Sequence, residues 1–405
     1  MESKYFIKTC ALIATEGSSL SDDFEISGGN PNITYYESVK SPSISVSIDF
    51  IDVDGVISRE GITGGEYLDL KIKVPDFDDF EITPDKHFMM LNSVKNVKTS
   101  SNKQIATLEF ISVEAIINET ARVSRRFTGN VSQIVKELMK DKKSIQTSKN
   151  LETDESFNKY SFVGNLKRPF DTIQWLCPKA ASTDKECGFL FYENLDGYFF
   201  KSIKGLLESD PSETYEKPEA PVDTDIKITE NNLDSSNDIG MNCRMGMYAN
   251  KTIYVDIENG KLETVDYKIS DLNLVKPPKL PTGLEDTPTR LMLRILDAGA
   301  LQKGSKKDDV EKRSELAVYQ NKSYARTNLL FSQSLSISTP FNPDLRVGQM
   351  INVVLPVKDG SDQSQTTGGG ENDISGKYLL SELKHSIANG KSNSELKLIR
   401  DVFTA

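Results

Sequence analysis

The stretch 329–401 constrains the fold most, because it is a succession of short extended runs joined by turn residues. In its first run Leu335 and Ile337 alternate with serines, and this period of two predicts a half-buried antiparallel strand. Further runs follow at 350–355, 378–387 and 394–399. Asn389-Gly390 between the last two favours a hairpin turn. The stretch therefore predicts a small antiparallel barrel or half-barrel, with an exposed loop at 358–375.

Residues 1–118 predict a second all-β block. Alternating runs occur at 44–48 and at 67–74, and Pro75 ends the second of them. The runs 88–97 and 105–113 flank the polar segment 99–102, which predicts a hairpin. Short strands at even spacing are typical of a barrel or sandwich. The layout matches that of the C-terminal block, although no repeat of individual residues is visible between them.

The segment 119–205 has a different pattern. Val131, Ile134, Val135 and Leu138 form the apolar stripe of an amphipathic helix. A second helix is predicted at 170–176, with Pro169 in its first turn. The run 188–203 predicts a hairpin that turns at Asp196-Gly197, so the segment is an α/β module. Its concentrated aromatic residues favour core packing, with a protein-binding face as the alternative.

The segment between the α/β module and the C-terminal runs is harder to interpret. Residues 206–225 are rich in Pro, Glu, Asp and Ser and predict a solvated connection. A strand is expected at 225–229, a polar helix at 231–240, a proline-rich linker at 276–286 and a charged loop at 305–313. The run 291–301 fits a helix or a strand. We expect 241–317 to be a small unit inserted within the second β block.

The composition argues against several classes of function. The 405 residues carry a formal net charge of −11 with no long basic run, so specific nucleic-acid binding is not expected. An acidic wall would instead let DNA slide past without adhering, a hypothesis for a conduit. No stretch has the length and apolarity of a membrane span. The cysteines are scattered without metal-ligand spacing and predict free thiols: Cys10, Cys177, Cys187 and Cys243.

No framework for catalysis is visible. The two histidines, His87 and His385, lie among apolar residues of predicted strands and are interpreted as structural. The acidic stretch 76–81 lacks the glycine and the final glutamate of a calcium-binding loop, so it predicts an exposed acidic loop. Carboxylates are too abundant for any one pair to indicate a cell-wall hydrolase. We expect no enzyme activity, no metal and no cofactor.

A resemblance arises in the C-terminal block. The block contains, in order, a strand of alternating polar and apolar residues, a Val-Gly-Gln strand ended by proline, a variable loop, a Ser-Gly-x-Tyr strand and a final strand ending in Arg-Asp. This order resembles that of the C-terminal tube-like domain of central baseplate hub proteins. These are hub subunits of contractile-tailed bacteriophages, related to the hub part of type VI secretion spike proteins. The signature positions are Val347, Gly348, Gln349, Ile351, Pro356, Gly376, Tyr378, His385, Arg400 and Asp401, with Leu345, Ser375 and Leu396 also matching.

The resemblance implies a fold for the whole chain. It is mainly β with α+β insertions, with two tail-tube-like antiparallel β-barrel domains and two smaller α/β or mixed domains. The first tube-like domain is expected at 1–118 and the α/β helix–hairpin domain at 119–205. The second tube-like domain is expected at 206–240 and 318–405, with the small inserted domain at 241–317.

The resemblance also implies a function. Hub proteins are structural homotrimers whose pseudo-sixfold ring adapts a threefold spike to the sixfold tail tube and encloses the DNA channel. The implied partners are the cell-puncturing spike, the tail tube or a tube-initiator protein, baseplate wedge proteins and the tape measure protein, in a virion tail assembled in the host cytoplasm. The chain ends soon after Asp401, so we expect its spike to be a separate protein. The alternative is a receptor- or carbohydrate-binding tail protein.

Overall fold

The computed structural model describes residues 5–53, 55–75, 77–100, 103–217, 228–236, 238–257, 260–271, 287–296, 308–356 and 374–401. The predicted linker at 276–286 and nearly all of the predicted loop at 358–375 lie outside these residues. In the described part, no helix combines the length and apolarity needed to cross a membrane.

Strands dominate the described residues. The strands are β1 (Phe6–Ile13), β2 (Phe24–Glu25), β3 (Asn32–Ser38), β4 (Ser45–Asp52), β5 (Tyr67–Lys73), β6 (Phe80–Ile82), β7 (Met89–Ser100), β8 (Lys103–Ser112), β9 (Arg126–Asn130), β10 (Leu151–Thr153), β11 (Lys159–Val163), β12 (Phe189–Asn194), β13 (Gly197–Ser202), β14 (Glu213–Glu216), β15 (Glu230–Ser236), β16 (Ala249–Asp256), β17 (Lys261–Lys268), β18 (Arg290–Leu296), β19 (Gln333–Pro340), β20 (Met350–Val354), β21 (Gly376–Ala388) and β22 (Lys391–Arg400). The helices are α1 (Val56–Glu60), α2 (Val113–Thr120), α3 (Val131–Lys140), α4 (Pro169–Leu176), α5 (Ile203–Leu207), α6 (Ile239–Met245) and α7 (Asp308–Leu330).

One large sheet contains both β blocks. Its strand order is β15-β19-β22-β21-β3-β4-β8-β7-β5-β1-β2, with β20 and β14 attached at β21 and β6 attached at β5. The predicted mainly-β class with smaller α/β parts is confirmed. Among the described strands no sheet closes on itself, so each β block forms part of one open sheet.

The two blocks share a strand order. The first block places its strands in the order β3-β4-β8-β7, and the second places its own in the order β15-β19-β22-β21. Counted along the chain, each order is first, second, fourth, third. The third strand of the second block, β21, pairs antiparallel with the first strand of the first block, β3. The two blocks are therefore repeats of one topology, placed side by side in one sheet.

Alternation along these strands buries one face of the sheet, as the period of two predicts. In β19 the buried residues include Leu335 and Ile337, whereas the serines between them are half-buried. The first block packs its own apolar core around Ile48 and Leu108, and the second packs another around Leu383 and Leu398. The opposite face carries mainly polar residues, with Ile51 of β4 and Ile105 of β8 exposed opposite each other among them.

The α/β module follows its predicted elements. Helix α3 begins after Asn130, whose backbone N–H donates to the side-chain oxygen of Gln133 in the first turn at 3.4 Å, and the apolar stripe of the helix is fully buried. Helix α4 begins at Pro169, as predicted. The hairpin of β12 and β13 turns at Leu195 and Asp196. Its aromatic residues, including Phe191 and Tyr198, lie in the module's core, which is the predicted packing role.

Two expectations for the region between the α/β module and β19 need correction. The charged run at 305–313 is not a loop throughout, because α7 begins at Asp308. The polar run at 231–240 is not one helix, because residues up to Ser236 form β15 and only Ile239 onward is helical. Pairing with β19 overrides the weak local preference of this polar segment. The undecided run after Arg290 is the strand β18, which pairs parallel to β16 in a three-stranded sheet with β17.

Candidate assembly interface

The junction between the two β blocks is an antiparallel ladder. Its register runs from Glu382 opposite Ser38 to Ile387 opposite Ile33. The backbone N–H of Val39 donates to the carbonyl of Ser381 at 2.9 Å, which extends the pairing by one bond. This ladder shows how one four-stranded unit of this chain joins another.

Glu37 of β3 ties the junction to the rest of the molecule. One carboxylate oxygen accepts the backbone N–H of Leu195 at 2.7 Å and the hydroxyl of Tyr35 at 2.5 Å. The other oxygen accepts the backbone N–H of Val347 at 3.0 Å. Leu195 belongs to the α/β module and Val347 to the second β block, so one side chain joins three parts of the chain.

The carboxyl of Glu37 titrates abnormally. It is fully buried, and desolvation raises its pKa to about 7. The positive charge of Arg346 and the hydrogen bonds that the carboxylate accepts oppose this rise. Arg346 itself pairs with Asp196 at 3.3 Å, so the hairpin turn of the α/β module is held at the same place.

A second buried cluster joins the first block to the α/β module. The ammonium group of Lys149 contacts Glu114 at 2.9 Å and Glu193 at 2.6 Å. The other oxygen of Glu193 accepts the hydroxyl of Ser112 at 2.6 Å and the backbone N–H of Ile44 at 3.1 Å. Separating the first block from the α/β module would leave buried charges of this cluster without their partners, which is strongly unfavourable. The cluster therefore holds these two parts of the chain together.

The solvent-facing side of the large sheet is mainly polar, and several of its charged side chains pair with one another. Charged side chains face one another across neighbouring strands beside the junction, in the pairs Lys384–Glu395 (3.2 Å) and Lys397–Glu382 (3.6 Å), and between β7 and β8, in the pair Lys95–Glu109 (2.5 Å). Tyr36 donates to Glu382 at 3.0 Å across the junction. A groove of about 350 Å³ runs over this side from β15 to Tyr36. We call this side of the sheet the open face.

Three signature residues lie beside Glu37. The N–H of Val347 is one of its donors, and Gln349 accepts the backbone N–H of Arg346 at 3.0 Å. Gly348 has φ +90°, and the Cβ atom of any side chain there would overlap the Tyr192 hydroxyl. This position therefore needs glycine for both its backbone angle and its space.

The other signature residues support the strands of the second block. Arg400 lies over the ring of Tyr378 at 4.6 Å and donates to the carbonyl of Ser375 at 2.9 Å. Asp401 pairs with Arg326 of α7 at 2.5 Å. Ile351 is buried in β20, Gly376 begins β21 with φ +132°, and Pro356 follows β20.

His385 is fully buried on the core side of the junction. Its Nδ1 lies 2.9 Å from the hydroxyl of Ser394, and the rings of Tyr35, Phe80 and Phe341 surround it. Burial lowers its pKa to about 3, so the imidazole is neutral in the folded protein at pH 7. The histidine sits where β3 and β21 meet.

Sequence reasoning missed a repeat that the structure makes plain. In the second block the N–H of Gly348 donates to the carbonyl of Leu380, and the N–H of Leu380 donates to the carbonyl of Gln349, both at 2.9 Å. In the first block the N–H of Gly65 donates to the carbonyl of Leu91 at 3.0 Å, and the N–H of Leu91 donates to the carbonyl of Glu66 at 2.8 Å. In the sequence this repeat is only a glycine, an acid or amide, and then alternating apolar residues. Glu37 was missed altogether, because nothing local distinguishes it from an exposed glutamate.

No family model and no curated protein matches the sequence. Among solved structures, the chain is similar to a tail protein from Neisseria meningitidis MC58, with a TM-score of 0.53 and 10% identity, over 100% of this chain and 98% of that one. It is also similar to the 43 kDa tail protein of prophage MuSo2 from Shewanella oneidensis, with a TM-score of 0.50 and 9% identity, over 100% and 99%. A prophage tail protein from Listeria monocytogenes EGD-e gives 0.51 and 9% identity, over 97% and 94%. The chain therefore has the fold of phage tail proteins, as its resemblance to the hub family predicted.

Proposed function

We propose that this chain is the structural hub of a phage tail baseplate. The observation that carries the proposal is the pair of four-stranded units with one strand order, joined edge to edge in a single sheet. Three copies in a cyclic trimer supply six such units. Such a ring has exact threefold symmetry, because it contains three chains, and approximate sixfold symmetry, because it contains six similar four-stranded units. This combination suits a connection between a threefold spike and a sixfold tube.

The open face of the sheet is proposed to line the channel of this ring. Its lysines at the junction are paired with carboxylates, so their charges are partly neutralised within the protein. Strong binding to DNA depends on cations that contact phosphates. A lining of paired charges and hydroxyls therefore favours passage of DNA over retention.

The proposed partners are those that the resemblance to hub proteins implies. The cell-puncturing spike contacts one end of the ring, and the tail tube or tube-initiator protein contacts the other. Wedge proteins contact the outer surface, and the tape measure protein or DNA occupies the channel. In this proposal 1–118 and 206–240 with 318–405 are the tube-like domains, 119–205 and 241–317 are the smaller ones, and the role is structural in the virion tail, with assembly in the host cytoplasm.

The test is the mass of the purified protein by light scattering over a range of concentrations, followed by negative-stain microscopy. We expect a species of three times 45.1 kDa that forms rings. The spike protein is added if the chain alone is monomeric, because the spike can nucleate the ring. A chain that stays monomeric with its spike present contradicts the proposal, and glycan binding on an array would then favour a receptor-binding role.

A further inference from the structure

The buried cluster around Lys149 brings together one amine and two carboxyl groups. The nitrogen of Lys149 lies 2.6 Å from Oε1 of Glu193 and 2.9 Å from Oε2 of Glu114. The three side chains are at most 5% exposed, so water has almost no access to them. An amine, a carboxyl group and a second carboxylate held together away from water are the groups that an amide bond between side chains requires.

The carboxyl group of Glu193 is polarised by two donors. Its Oε2 accepts the hydroxyl of Ser112 at 2.6 Å and the backbone N–H of Ile44 at 3.1 Å. Two donors on one oxygen stabilise the negative charge that develops there when a nucleophile adds to the carboxyl carbon. Both donors belong to the first block, so packing of that block against the α/β module completes the site.

Lys149 is placed to be the nucleophile. A nitrogen in hydrogen-bond contact with a carboxyl oxygen lies about 3–3.5 Å from the carboxyl carbon, which is the separation of near-attack geometry. Burial opposes the charge of Lys149, but the charges of Glu193 and Glu114 outweigh it, and the pKa of Lys149 is raised. The resting cluster is therefore ionic. The neutral amine forms when a proton moves across the 2.6 Å contact to Glu193, whose pKa is raised by burial.

Glu114 is placed to carry the second proton. Its Oε1 accepts the hydroxyl of Thr147 at 2.6 Å, which holds the carboxylate while its Oε2 lies against the nitrogen of Lys149. A carboxylate within reach of an attacking nitrogen can accept its proton and return it to the leaving oxygen. The ring of Tyr198, whose centroid is 5.7 Å from the same nitrogen, supplies an apolar wall. Each group that the reaction needs is thus in place.

We propose that Lys149 and Glu193 become joined by an intramolecular amide bond, formed once by the folded chain itself. The neutral amine adds to the carboxyl carbon of protonated Glu193, and Oε2 carries the negative charge of the intermediate. Glu114 takes a proton from the nitrogen and donates it to the hydroxyl group on that carbon, which leaves as water. One amine and one carboxylic acid thus give one amide and one water, so no other reactant is needed. The amide also replaces a buried pair of opposite charges, whose desolvation is unfavourable.

The bond closes a loop of the α/β module. Its two ends are 44 positions apart, and the loop between them contains β10, β11 and α4. A covalent link across a loop restricts the unfolded chain, as a disulfide does. The module's own cysteines, Cys177 and Cys187, are free thiols, and an amide differs from a disulfide in that thiols do not reduce it. The bond is a property of the single chain, so it does not depend on the hub ring proposed above.

The first experiment is the intact mass of the purified full chain. We expect a mass that is lower than that of the sequence by one water molecule. Digestion with trypsin should then give the peptide 144–159 joined to the peptide 186–201, because trypsin does not cleave after an acylated lysine. A mass equal to that of the sequence, or a loss of water located elsewhere in the chain, overturns the proposal.

The second experiment follows the loss of water over time after cell-free synthesis. Lys149→Arg keeps the cation but has no amine to acylate, so it should keep its full mass. Glu114→Gln cannot accept the proton, so we expect its bond to form at least about 100-fold more slowly than in wild type. The matched control is Glu155→Gln, the same change at an exposed position of the module, which should lose water as wild type does.

Circular dichroism checks that each variant is folded. Equal rates for wild type and a folded Glu114→Gln variant overturn the mechanism. The wild-type mass decides whether the bond exists even where a variant does not fold.

Discussion

The carboxylate of Glu37 accepts the backbone N–H of Val347 at 3.0 Å, although 310 positions separate the two residues. The same carboxylate accepts the N–H of Leu195 in the α/β module. Glu37 lies on β3, the strand that joins the two halves of the large sheet. A single buried acceptor therefore fixes the relative positions of two β blocks and the module between them.

Replacing Glu37 with glutamine is expected to destabilise the protein by about 2–3 kcal/mol. The amide nitrogen of glutamine is a donor, so it would face a backbone N–H whose hydrogen bond it cannot accept. Urea unfolding followed by circular dichroism at pH 8 measures the change in the free energy of unfolding. The matched control is Glu155→Gln, at an exposed position, which should cost less than about 0.5 kcal/mol. Equal stability of the two variants would show that Glu37 is not a structural acceptor.

Because the pKa of Glu37 is raised in the folded protein, its contribution to the free energy of unfolding depends on pH. The folded protein holds this proton up to about pH 7, whereas an unfolded glutamate loses it near its ordinary value of about 4.3. The folded state therefore binds more protons in that window, and this carboxyl makes stability fall as pH rises through it. The free energy of unfolding of wild type minus that of Glu37→Gln should thus decrease between pH 5 and pH 8. A difference that is constant over this range contradicts the assignment.

The strands and helices with strong periodicity were predictable from the sequence. The hairpin around Asn389-Gly390, the stripe of α3 and the alternation of β19 depend on local patterns, and each appears in the structure. The strand β15 was not predictable, because its residues are polar and it forms only by pairing with β19. Local sequence carries little information where a distant partner decides the conformation.

The junction itself was beyond sequence reasoning for a related cause. Nothing in β3 or β21 indicates that Tyr36 and Lys384 face each other, since edge pairing uses backbone groups that every residue has. In the sequence the repeat is visible only as Gly65-Glu66 and Gly348-Gln349, and two residues are too few to distinguish a repeat from a chance match. Glycine is required at Gly348 by contact with Tyr192, which lies 156 positions earlier in the chain.

His385 is expected to make the fold sensitive to acid. Its folded pKa is lowered to about 3, whereas an unfolded histidine binds its proton near 6.5. The unfolded state therefore binds more protons between these values, and stability falls as pH falls through this window. His385→Phe places a ring among the aromatic neighbours of this site and removes the titration. Thermal unfolding from pH 7 to pH 4 should show a smaller loss of Tm in the variant, and parallel curves would contradict the expectation.

Gly348→Ala is expected to cost about 2–4 kcal/mol, from a positive φ that disfavours any side chain and from overlap of the new methyl group with the Tyr192 hydroxyl. Gly390→Ala is the matched control, because Gly390 has φ +78° but open space around it, so only the backbone cost of about 1 kcal/mol applies. Adding Tyr192→Phe to Gly348→Ala should recover part of the loss by removing the hydroxyl. Urea unfolding of the four proteins measures these differences. If the two alanine variants are equally stable, the close approach of Tyr192 to this glycine is not what selects the residue.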